Sequence, residues 1–285
     1  MSPTPQRVVL ITGCSTGVGR VTAEHLLRRG HLVYPTARRA DSVAELREAF
    51  TQFGQAAAPL RLDVNDSETG SQVIAEIVQR RGRIDAVVNN AAYGQAGAVE
   101  ELEPDDLRRQ FDTNVVGLLE LTRQALVPMR AARFGRIVNV SSVVAHLSLP
   151  LMGAYNASKA ALNALSQSMR MELRGAGIDV ILVEPGAVKS AFRENAFALL
   201  GGKADDPHSP YARHYAAWHK RWKHQLGAHA APTETVARAI AHAVESPRPR
   251  PRYRLGATAK FAPLAYTLLP DRLVDWIIMR SFKML

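Results

Sequence analysis

A tyrosine and a lysine four residues apart are well suited to moving a proton. Tyr155 and Lys159 fall at the start of a predicted helix, where this spacing places both side chains on one face. A phenol with a pKa of about 10 is a poor proton shuttle at neutral pH, but a neighbouring ammonium favours phenolate and lowers that pKa. Ser142, thirteen residues earlier, follows a predicted strand, and its hydroxyl can hydrogen-bond a substrate oxygen. We predict that the three act together; the alternative is that the pair is ordinary helix surface.

A glycine-rich segment near the N-terminus is suited to holding phosphate groups. Residues 12–19 read Thr-Gly-Cys-Ser-Thr-Gly-Val-Gly and lie between a buried strand and a helix. Bare backbone can approach a pyrophosphate there, and the helix N-terminus favours its negative charge. A flexible turn would explain the glycines alone, but not their position between a strand and a helix. The predicted phosphate contacts are Gly13, Ser15, Thr16, Gly17, Val18 and Gly19.

Two arginines follow the second predicted strand, at the position that selects between dinucleotide cofactors. An acid there would bind the NAD ribose hydroxyls, whereas an arginine can bind the 2′-phosphate of NADP with two parallel hydrogen bonds. The sequence reads Thr36-Ala37-Arg38-Arg39 and carries no acid. We therefore predict NADP(H), with Arg38 as the first candidate contact and Arg39 as the second. The alternative is that both are solvated loop charges.

These groups can meet only if the chain alternates strands and helices. The predicted strands are Val8–Ile11, His31–Thr36, Leu60–Val64, Ile84–Asn89, Arg136–Val140, Val180–Glu184 and Tyr253–Gly256. Six helices are predicted between them. The first follows the glycine loop, the second starts at a capping box over Ser42–Glu45, and the third carries Val73, Ile74, Ile77 and Val78 on one face. The fourth begins at Pro104, and the last two span Tyr155–Arg174 and Thr233–Glu245. This order predicts one α/β domain over residues 1–285, a Rossmann-type, doubly wound parallel sheet of about seven strands. Ligands bind such sheets at the carboxyl ends of the strands.

The alternation stops over residues 186–231, where an insertion would cover the ligand site. We predict a helical substrate lid. Tyr211, Tyr215, Trp218 and Trp222 recur there at helical spacing and form one aromatic stripe. The stripe indicates a hydrophobic or ring-containing substrate; packing of the stripe in the core is the alternative. The candidate substrate contacts are His146, Tyr215, Trp218 and Trp222, beside Ser142 and Tyr155.

A helical extension is predicted over residues 257–285. The basic run before it, Pro247–Arg254, is short and leads into a strand, so we interpret it as a solvated connector rather than a nucleic-acid site. In the extension, Leu273, Val274, Ile277 and Ile278 share one helix face. Three roles for this face stay open: packing on the lid, dimerisation, and contact with a membrane surface, which is not the favoured one.

Composition sets the class of protein. The 285 residues are 47% hydrophobic and 22% charged, which excludes intrinsic disorder and a polytopic membrane protein. Lys and Arg exceed Asp and Glu by 36 − 26, a net charge of +10 that attracts anions. Cys14 is the only cysteine and no signal peptide is recognisable, so we expect a cytoplasmic protein. Four histidines recur every five residues over 214–229, which scatters them around a helix and argues against a metal site.

The motifs together resemble those of the classical short-chain dehydrogenase/reductase family over about residues 7–256. They fall in the family's order: Thr12-Gly13-x-x-x-Gly17-x-Gly19, Asp63-Val64, Asn89-Asn90-Ala91, Asn114, Ser142, Tyr155-x-x-x-Lys159, and Pro185-Gly186 with Ser190. The segment 33–39 and the long C-terminal tail look most like the hydroxysteroid and retinol dehydrogenase branch. Two positions depart from the family pattern: Ala92 replaces a usual glycine, which would narrow the pocket floor, and Ser190 replaces threonine but keeps the hydroxyl.

The resemblance implies roles for residues that spacing alone does not assign. Asp63 and Val64 would hold adenine, and Asn90 with Ala91 would support the sheet centre near the cofactor. Asn114 would anchor a water chain that reprotonates Tyr155 through the ribose and Lys159. The nicotinamide amide would meet the turn containing Pro185, Gly186, Val188 and Ser190. The family also implies a homodimer or homotetramer.

We therefore expect an NADP(H)-dependent carbonyl reductase or alcohol dehydrogenase that acts on a small hydrophobic substrate. Hydride would pass between the nicotinamide and the carbonyl carbon while Tyr155 exchanges the proton. The rival interpretation is a catalytically silent NADP-binding regulator, although intact Ser142, Tyr155 and Lys159 argue against it. A nucleic-acid-binding protein would need aromatic residues interleaved with a broad basic patch, which no segment offers.

Overall fold

A seven-stranded parallel sheet forms the centre of the molecule in a computed structural model. The model describes residues 5–224 and 230–284, except for the side chains of residue 205 and residues 221–224. Within that part of the chain the strands are β1 (Val8–Ile11), β2 (Leu32–Ala37), β3 (Leu60–Arg61), β4 (Ala86–Asn89), β5 (Gly135–Val140), β6 (Ile178–Pro185) and β7 (Arg252–Leu255). Their order is β3-β2-β1-β4-β5-β6-β7 and every pairing is parallel. The predicted doubly wound sheet is confirmed.

Helices cover both faces of this sheet. Those described are α1 (Gly17–Arg28), α2 (Ala40–Ala49), α3 (Ser67–Arg81), α4 (Pro104–Phe111), α5 (Gly117–Ala132), α6 (Gly153–Glu172), α7 (Phe192–Ala198), α8 (Ala212–His224), α9 (Thr233–Glu245), α10 (Ala257–Leu268) and α11 (Asp271–Phe282). A π-helical turn over Asp112–Val116 joins α4 to α5 into the long helical segment predicted from Pro104.

The strands are apolar throughout because both of their faces are buried. In β1, Val9 and Ile11 pack with α1, α2 and α9, whereas Val8 and Leu10 pack with α3 and α5 on the opposite face. Alternate side chains of a strand point to opposite faces, so a run of four apolar residues supplies two cores at once. Because every pairing is parallel, the carboxyl ends of the strands lie along one edge of the sheet.

A third buried cluster lies above the carboxyl ends of the strands. It joins α6 to α7, α8, α10 and α11, and its largest members are Tyr215 and Trp218. The cluster covers the edge at which the sequence places the chemistry. Both the insertion and the C-terminal extension therefore contribute to the cover.

Two predicted boundaries differ from the structure by more than two residues. Helix α2 begins at Ala40 with Arg39 at its N-cap, so Ser42 lies inside the first turn and does not cap it; its backbone N–H donates to the Asp41 carboxylate. Strand β3 ends at Arg61 instead of Val64, because it is an edge strand whose register pairs only with Thr36 and Ala37 of β2. No helix in the described residues is both long enough and apolar enough to cross a bilayer.

Candidate active site

One cavity of about 750 Å³ runs along the carboxyl ends of the strands. The loops after β1, β2, β3 and β4 form one half of its wall, and the loops after β5 and β6 form the other half together with α6 and α11. The first half contains the predicted cofactor residues, and the second contains Ser142, Tyr155 and Lys159. The fold thus places both predicted sites on one continuous cavity.

The glycine loop leaves β1 and enters α1 along the cavity wall. Gly13, Ser15, Thr16, Gly17 and Val18 line the cavity. Gly13 adopts φ +70°, and a Cβ built on it would lie 2.8 Å from the Cα of Ala91, so only glycine fits. Gly19 does not line the cavity; a Cβ there would meet the Gly13 carbonyl oxygen, and its role is to let α1 pack tightly against the loop.

Hydrogen bonds from the end of β4 hold the glycine loop in place. The side chain of Asn90 donates to the carbonyl oxygens of Thr12 and Gly13, each at 2.9 Å. In return, the Thr12 hydroxyl accepts from the backbone N–H groups of Asn90 at 3.0 Å and Ala91 at 2.9 Å. Asn90, Ala91 and Ala92 all line the cavity. Asn90 therefore holds the glycine loop against the end of β4.

The two arginines after β2 differ in position. Arg38 lines the cavity and makes no ion pair with any residue that the structure describes. Arg39 lies outside the cavity wall and pairs with Asp41, to which its Nε donates at 2.9 Å. The structure thus brings Arg38 to the cofactor half of the cavity, and Arg39 is already engaged by a carboxylate.

The end of β3 supplies the floor of the same half. Asp63 and Val64 both line the cavity. The Asp63 carboxylate accepts from the backbone N–H of Asn65 at 3.0 Å, which holds the turn that presents Val64. The positions assigned to adenine by resemblance therefore lie next to Arg38 in the wall.

Ser142 and Tyr155 meet at the centre of the cavity. Ser142 caps a short 3-10 turn after β5, where its hydroxyl accepts from the Val144 backbone N–H at 3.3 Å. Tyr155 lies in the first turn of α6, is buried, and hydrogen-bonds with Ser142. Burial raises the pKa of Tyr155 to about 12, and the hydrogen bond with Ser142 offsets part of that rise.

Lys159 lies one turn further along α6. Its Nζ donates to the carbonyl oxygen of Val140 at 2.9 Å and lies 5.8 Å from the centre of the Tyr155 ring. Burial lowers the pKa of Lys159 to about 8. The predicted fall in the pKa of Tyr155 is not observed, because burial of the phenol is the dominant effect and the Lys159 ammonium is directed to the backbone of β5.

Asn114 is fully buried in the π-helical turn between α4 and α5. Its side-chain amide donates to the Tyr93 carbonyl oxygen at 2.9 Å and to the Ser158 hydroxyl at 3.1 Å. Its side-chain oxygen accepts from the Tyr93 backbone N–H at 3.1 Å. Asn114 thus links the loop after β4 to the residue preceding Lys159, behind the cavity wall.

The turn after β6 closes the cavity between its two halves. Pro185, Gly186, Val188 and Ser190 all line it. A backbone pairing with residue 231 fixes this turn, since the N–H of Ala231 donates to the Ala187 carbonyl oxygen at 2.8 Å and that of Lys189 donates to the Ala231 carbonyl oxygen at 3.0 Å.

The cofactor half fits a nicotinamide dinucleotide. Helix α1 has no acidic residue in its first turn, and its N-cap Thr16 makes no side-chain hydrogen bond to the helix, so its first N–H groups are available to a phosphate. The bare backbone at Gly13 lies in the same wall as the guanidinium of Arg38, which has no ion-pair partner among the described residues. These groups would hold a dinucleotide with its phosphates at α1.

The substrate half is built differently from the prediction. Tyr215 and Trp218 are 1% and 0% exposed and do not line the cavity. The Tyr215 hydroxyl donates to Glu101 at 2.6 Å, and Trp218 stacks on Phe197 with ring centres 6.0 Å apart. These two side chains therefore pack in the core of the lid, which was the alternative interpretation. The side chain of Trp222 lies outside the described residues.

Residues outside the aromatic stripe form the wall of the substrate half. Phe192, at the start of α7, lies with its ring centre 5.0 Å from that of Tyr155. The remaining wall comes from Leu147, Leu149 and Met152 near α6, from Thr258 of α10, and from Ile278, Ser281 and Phe282 of α11. No sequence motif marks these residues; the helical periodicity of the C-terminal tail was the only signal, and it left the role of that face open.

His146 does not line the cavity either. It belongs to a buried cluster around Glu184, a fully buried carboxylate in the residue before Pro185. The Glu184 carboxylate is within hydrogen-bonding distance of His146 Nε2 at 3.0 Å, Asn163 Nδ2 at 2.9 Å, Arg252 Nη1 at 2.6 Å and Arg254 Nε at 3.2 Å. Ser141 donates to Asn163 at 2.7 Å. The cluster joins β6, β7 and α6 to the loop after β5, and sequence reasoning missed it.

Comparison with known proteins agrees with this geometry. The family model described as short chain dehydrogenase matches residues 7–199. The 3-ketodihydrosphingosine reductase of Bacteroides thetaiotaomicron is 33% identical over 70% of this chain and 71% of its own. The NADPH-dependent 3-dehydrocapnine reductase of Ornithobacterium rhinotracheale is 26% identical over 98% of both chains.

Two further matches cover most of the chain. Rat estradiol 17-beta-dehydrogenase 1 is 34% identical over 90% of this chain and 75% of its own, so hydroxysteroid dehydrogenases are among its relatives. The crystal structure of a short-chain dehydrogenase from Streptomyces avermitilis superposes with a TM-score of 0.74 at 31% identity, over 99% of this chain and 98% of that one. With its sheet topology and with Ser142, Tyr155 and Lys159 on one cavity, the chain belongs to the short chain dehydrogenase family of oxidoreductases.

Proposed function

We propose that the protein is an NADP(H)-dependent reductase of hydrophobic ketones, with the reverse oxidation of secondary alcohols at the same site. The observation that carries the proposal is the buried Ser142–Tyr155 pair, with Lys159 one turn away, on the same cavity as the glycine loop. When bound, the cofactor supplies the hydride. The protein supplies the proton and holds the substrate oxygen.

Tyr155 is suited to act as a general acid in the reductive direction. A phenol with a pKa of about 12 stays protonated at neutral pH and can give its proton to the more basic alkoxide that reduction produces. Ser142 orients that oxygen, because its hydroxyl hydrogen-bonds with Tyr155 and lines the cavity. Lys159, with a pKa of about 8, carries its charge at neutral pH and stabilises negative charge nearby.

Arg38 supports NADP(H) over NAD(H). It lines the cofactor half of the cavity and makes no ion pair within the part of the chain that the structure describes. Among the described residues that line the cavity, the only carboxylate is Asp63, in the loop after β3. A 2′-phosphate carries nearly two negative charges and accepts two hydrogen bonds from a guanidinium. The same assignment is supported by the NADPH-dependent 3-dehydrocapnine reductase, which resembles this chain over nearly its whole length.

The substrate half supports an apolar ketone. Phe192, Ile278 and Phe282 line it, and Ser142 and Tyr155 present hydroxyl groups to the same half. Similar proteins carry the names 3-ketodihydrosphingosine reductase and estradiol 17-beta-dehydrogenase, and both names describe ketone or alcohol chemistry on apolar molecules. The family resemblance further supports a homodimer or homotetramer, which sedimentation velocity of the purified protein measures.

The test is to incubate the purified protein with NADPH and a panel of aliphatic, aromatic and polycyclic ketones, and to follow NADPH absorbance. Turnover should be detectable with at least one apolar ketone and should be lost in Ser142→Ala and Tyr155→Phe. If the wild type binds NADPH but no ketone or alcohol reacts, the protein is instead the silent NADP-binding regulator.

A further inference from the structure

The C-terminal helices α10 and α11 expose an unusual amount of apolar surface. Thirteen large apolar side chains of the described residues are exposed, and six of them fall within residues 261–277. The other seven are spread over residues 99–199. Phe261, Leu268 and Trp276 are 64%, 68% and 47% exposed. Soluble domains seldom expose clustered apolar groups without a partner for them.

In α11 the two faces are sharply divided. Val274 and Phe282 are buried, and Ile278, Ser281 and Phe282 line the active-site cavity. At about 3.6 residues per turn, Leu273, Trp276 and Arg280 fall on the opposite face. The outward face therefore lies directly behind the wall of the substrate half.

In α10 a second outward stripe has the same character. Phe261, Leu264 and Leu268 recur at spacings of three and four and are all exposed, whereas Ala259 and Ala262 are buried. The hydroxyl of Tyr266 accepts from the Ser148 backbone N–H at 3.3 Å, which ties this helix to the loop beside the active site. The exposed stripes of α10 and α11 together are called here the C-terminal face.

Charge on the C-terminal face has one sign. Lys260 flanks the α10 stripe, and Arg272, Arg280 and Lys283 flank the α11 stripe, where the Arg280 guanidinium lies 5.2 Å from the centre of the Trp276 ring. The two acids of this segment, Asp271 and Asp275, lie on the flank nearer the buried face of α11. Apolar residues with tryptophan and flanking basic residues match the boundary between acyl chains and anionic headgroups.

We propose that the C-terminal face docks on the surface of a lipid bilayer that contains anionic lipids. Docking would bring the substrate half of the cavity, behind α11, next to a reservoir of apolar molecules. A second copy of the chain fits less well, because a two-fold contact through this face would set basic residues of one copy against the same basic residues of the other. The net charge of +10 adds to the attraction of an anionic surface.

The test measures partition of the full chain onto vesicles by flotation. Phosphatidylcholine vesicles are compared with vesicles that also contain phosphatidylglycerol, at low and high salt. We expect at least about tenfold stronger partition onto the anionic vesicles and a loss of this preference at high salt. Each basic residue near an anionic surface contributes about fivefold, so Arg280→Gln should weaken partition by about that factor.

The apolar contribution is tested with a double variant and a matched control. Phe261→Ser with Trp276→Ser should weaken partition by at least about tenfold, because both side chains would insert between headgroups. Val127→Ser removes an apolar side chain that is 71% exposed on α5 and should leave partition unchanged. Thermal melting and NADPH titration of each variant check that the fold is intact.

Several results would overturn docking on a bilayer. They are absence of partition onto anionic vesicles, equal loss in Val127→Ser and in the double variant, or wild-type partition in the double variant and in Arg280→Gln. Self-association that the double variant abolishes would instead identify the face as an interface between copies. None of these measurements depends on turnover, so their outcome is independent of whether the protein reduces ketones.

Discussion

The two halves of the cavity are built by different means. In the cofactor half, loops that follow neighbouring strands form the wall, and hydrogen bonds from Asn90 hold the glycine loop at the ends of β1 and β4. In the substrate half, side chains from four separate segments meet, and Phe192 and Ile278 lie 86 residues apart in the chain. The difference indicates that the sheet fixes where the chemistry occurs, while side chains on its cover decide which molecule reacts.

Tyr155 stands where the two halves meet, and its loss should have the largest effect. Tyr155→Phe removes the proton that reduction consumes, so kcat should fall by about 10²–10⁴-fold. The dissociation constant of NADPH should change little, because the cofactor half is intact. Stopped-flow turnover and fluorescence titration measure the two quantities. Comparable turnover in the variant would remove Tyr155 from the mechanism.

The Glu184 cluster links β6 and β7 to α6 at the start of the turn after β6, and its disruption should be nearly as severe. Glu184→Ala leaves two guanidinium groups and His146 without their buried carboxylate, which should lower the free energy of unfolding by about 3–5 kcal/mol. Urea denaturation measures this change. The matched control is Asp105→Ala, since Asp105 pairs with Arg108 at the surface and its loss should cost less than about 1 kcal/mol. Equal losses in the two variants would contradict the supporting role of the cluster.

Substitution of Arg38 tests cofactor selection without altering the substrate half. A charge-assisted contact with a 2′-phosphate contributes about 1.5–3 kcal/mol, so Arg38→Ala should lower kcat/KM for NADPH by about ten- to a hundredfold. Efficiency with NADH should hardly change. Arg39→Ala is the control, because Arg39 already pairs with Asp41 outside the cavity. Equal wild-type efficiency with NADPH and NADH would show that the loop after β2 does not select the cofactor.

The pKa of Lys159 sets a pH dependence. Burial lowers this pKa to about 8, so the ammonium is charged below that pH and loses its proton above it. We expect kcat/KM for NADPH to fall as pH rises through about 8, while Tyr155, with a pKa of about 12, stays protonated. Lys159→Arg keeps its charge and should lack this fall. A wild-type profile that is flat through pH 8 would contradict the assignment.

Substrate selectivity should change when a cavity-lining residue of α11 is substituted, and should not change when a residue of the aromatic stripe in α8 is substituted. Ile278→Val removes one methylene from the cavity wall, and at about 0.8 kcal/mol per methylene this should change selectivity between bulky and small ketones about fourfold. Trp218→Phe should lower the melting temperature and leave selectivity unchanged, because Trp218 is buried away from the cavity. The reverse pattern would restore the predicted substrate role of α8.

The same contrast explains what could be predicted from the sequence. The glycine loop, Arg38, Ser142, Tyr155 and Lys159 follow strand ends or share a helix turn, so local spacing and the parallel sheet suffice to bring them together. The spacing of the aromatic stripe in α8 shows that its residues share one helix face, but not which residues that face contacts. Aromatic side chains pack in a core as readily as they line a pocket, so the stripe alone does not identify a substrate site. Contacts of α11 with the cavity depend on the path of the whole chain, and the pKa of Tyr155 depends on burial, which the Tyr-x-x-x-Lys spacing does not contain.

The central claim, hydride transfer to a ketone held by Ser142 and Tyr155, is tested most directly with deuterium. The protein is mixed with an apolar ketone that is turned over and with NADPH deuterated on the transferable face of nicotinamide C4, and the alcohol is analysed by mass spectrometry. We predict one deuterium on the carbinol carbon with the wild type and little or no labelled alcohol with Tyr155→Phe, although both bind NADPH. An alcohol without deuterium, or equal labelling by the two proteins, would contradict the account.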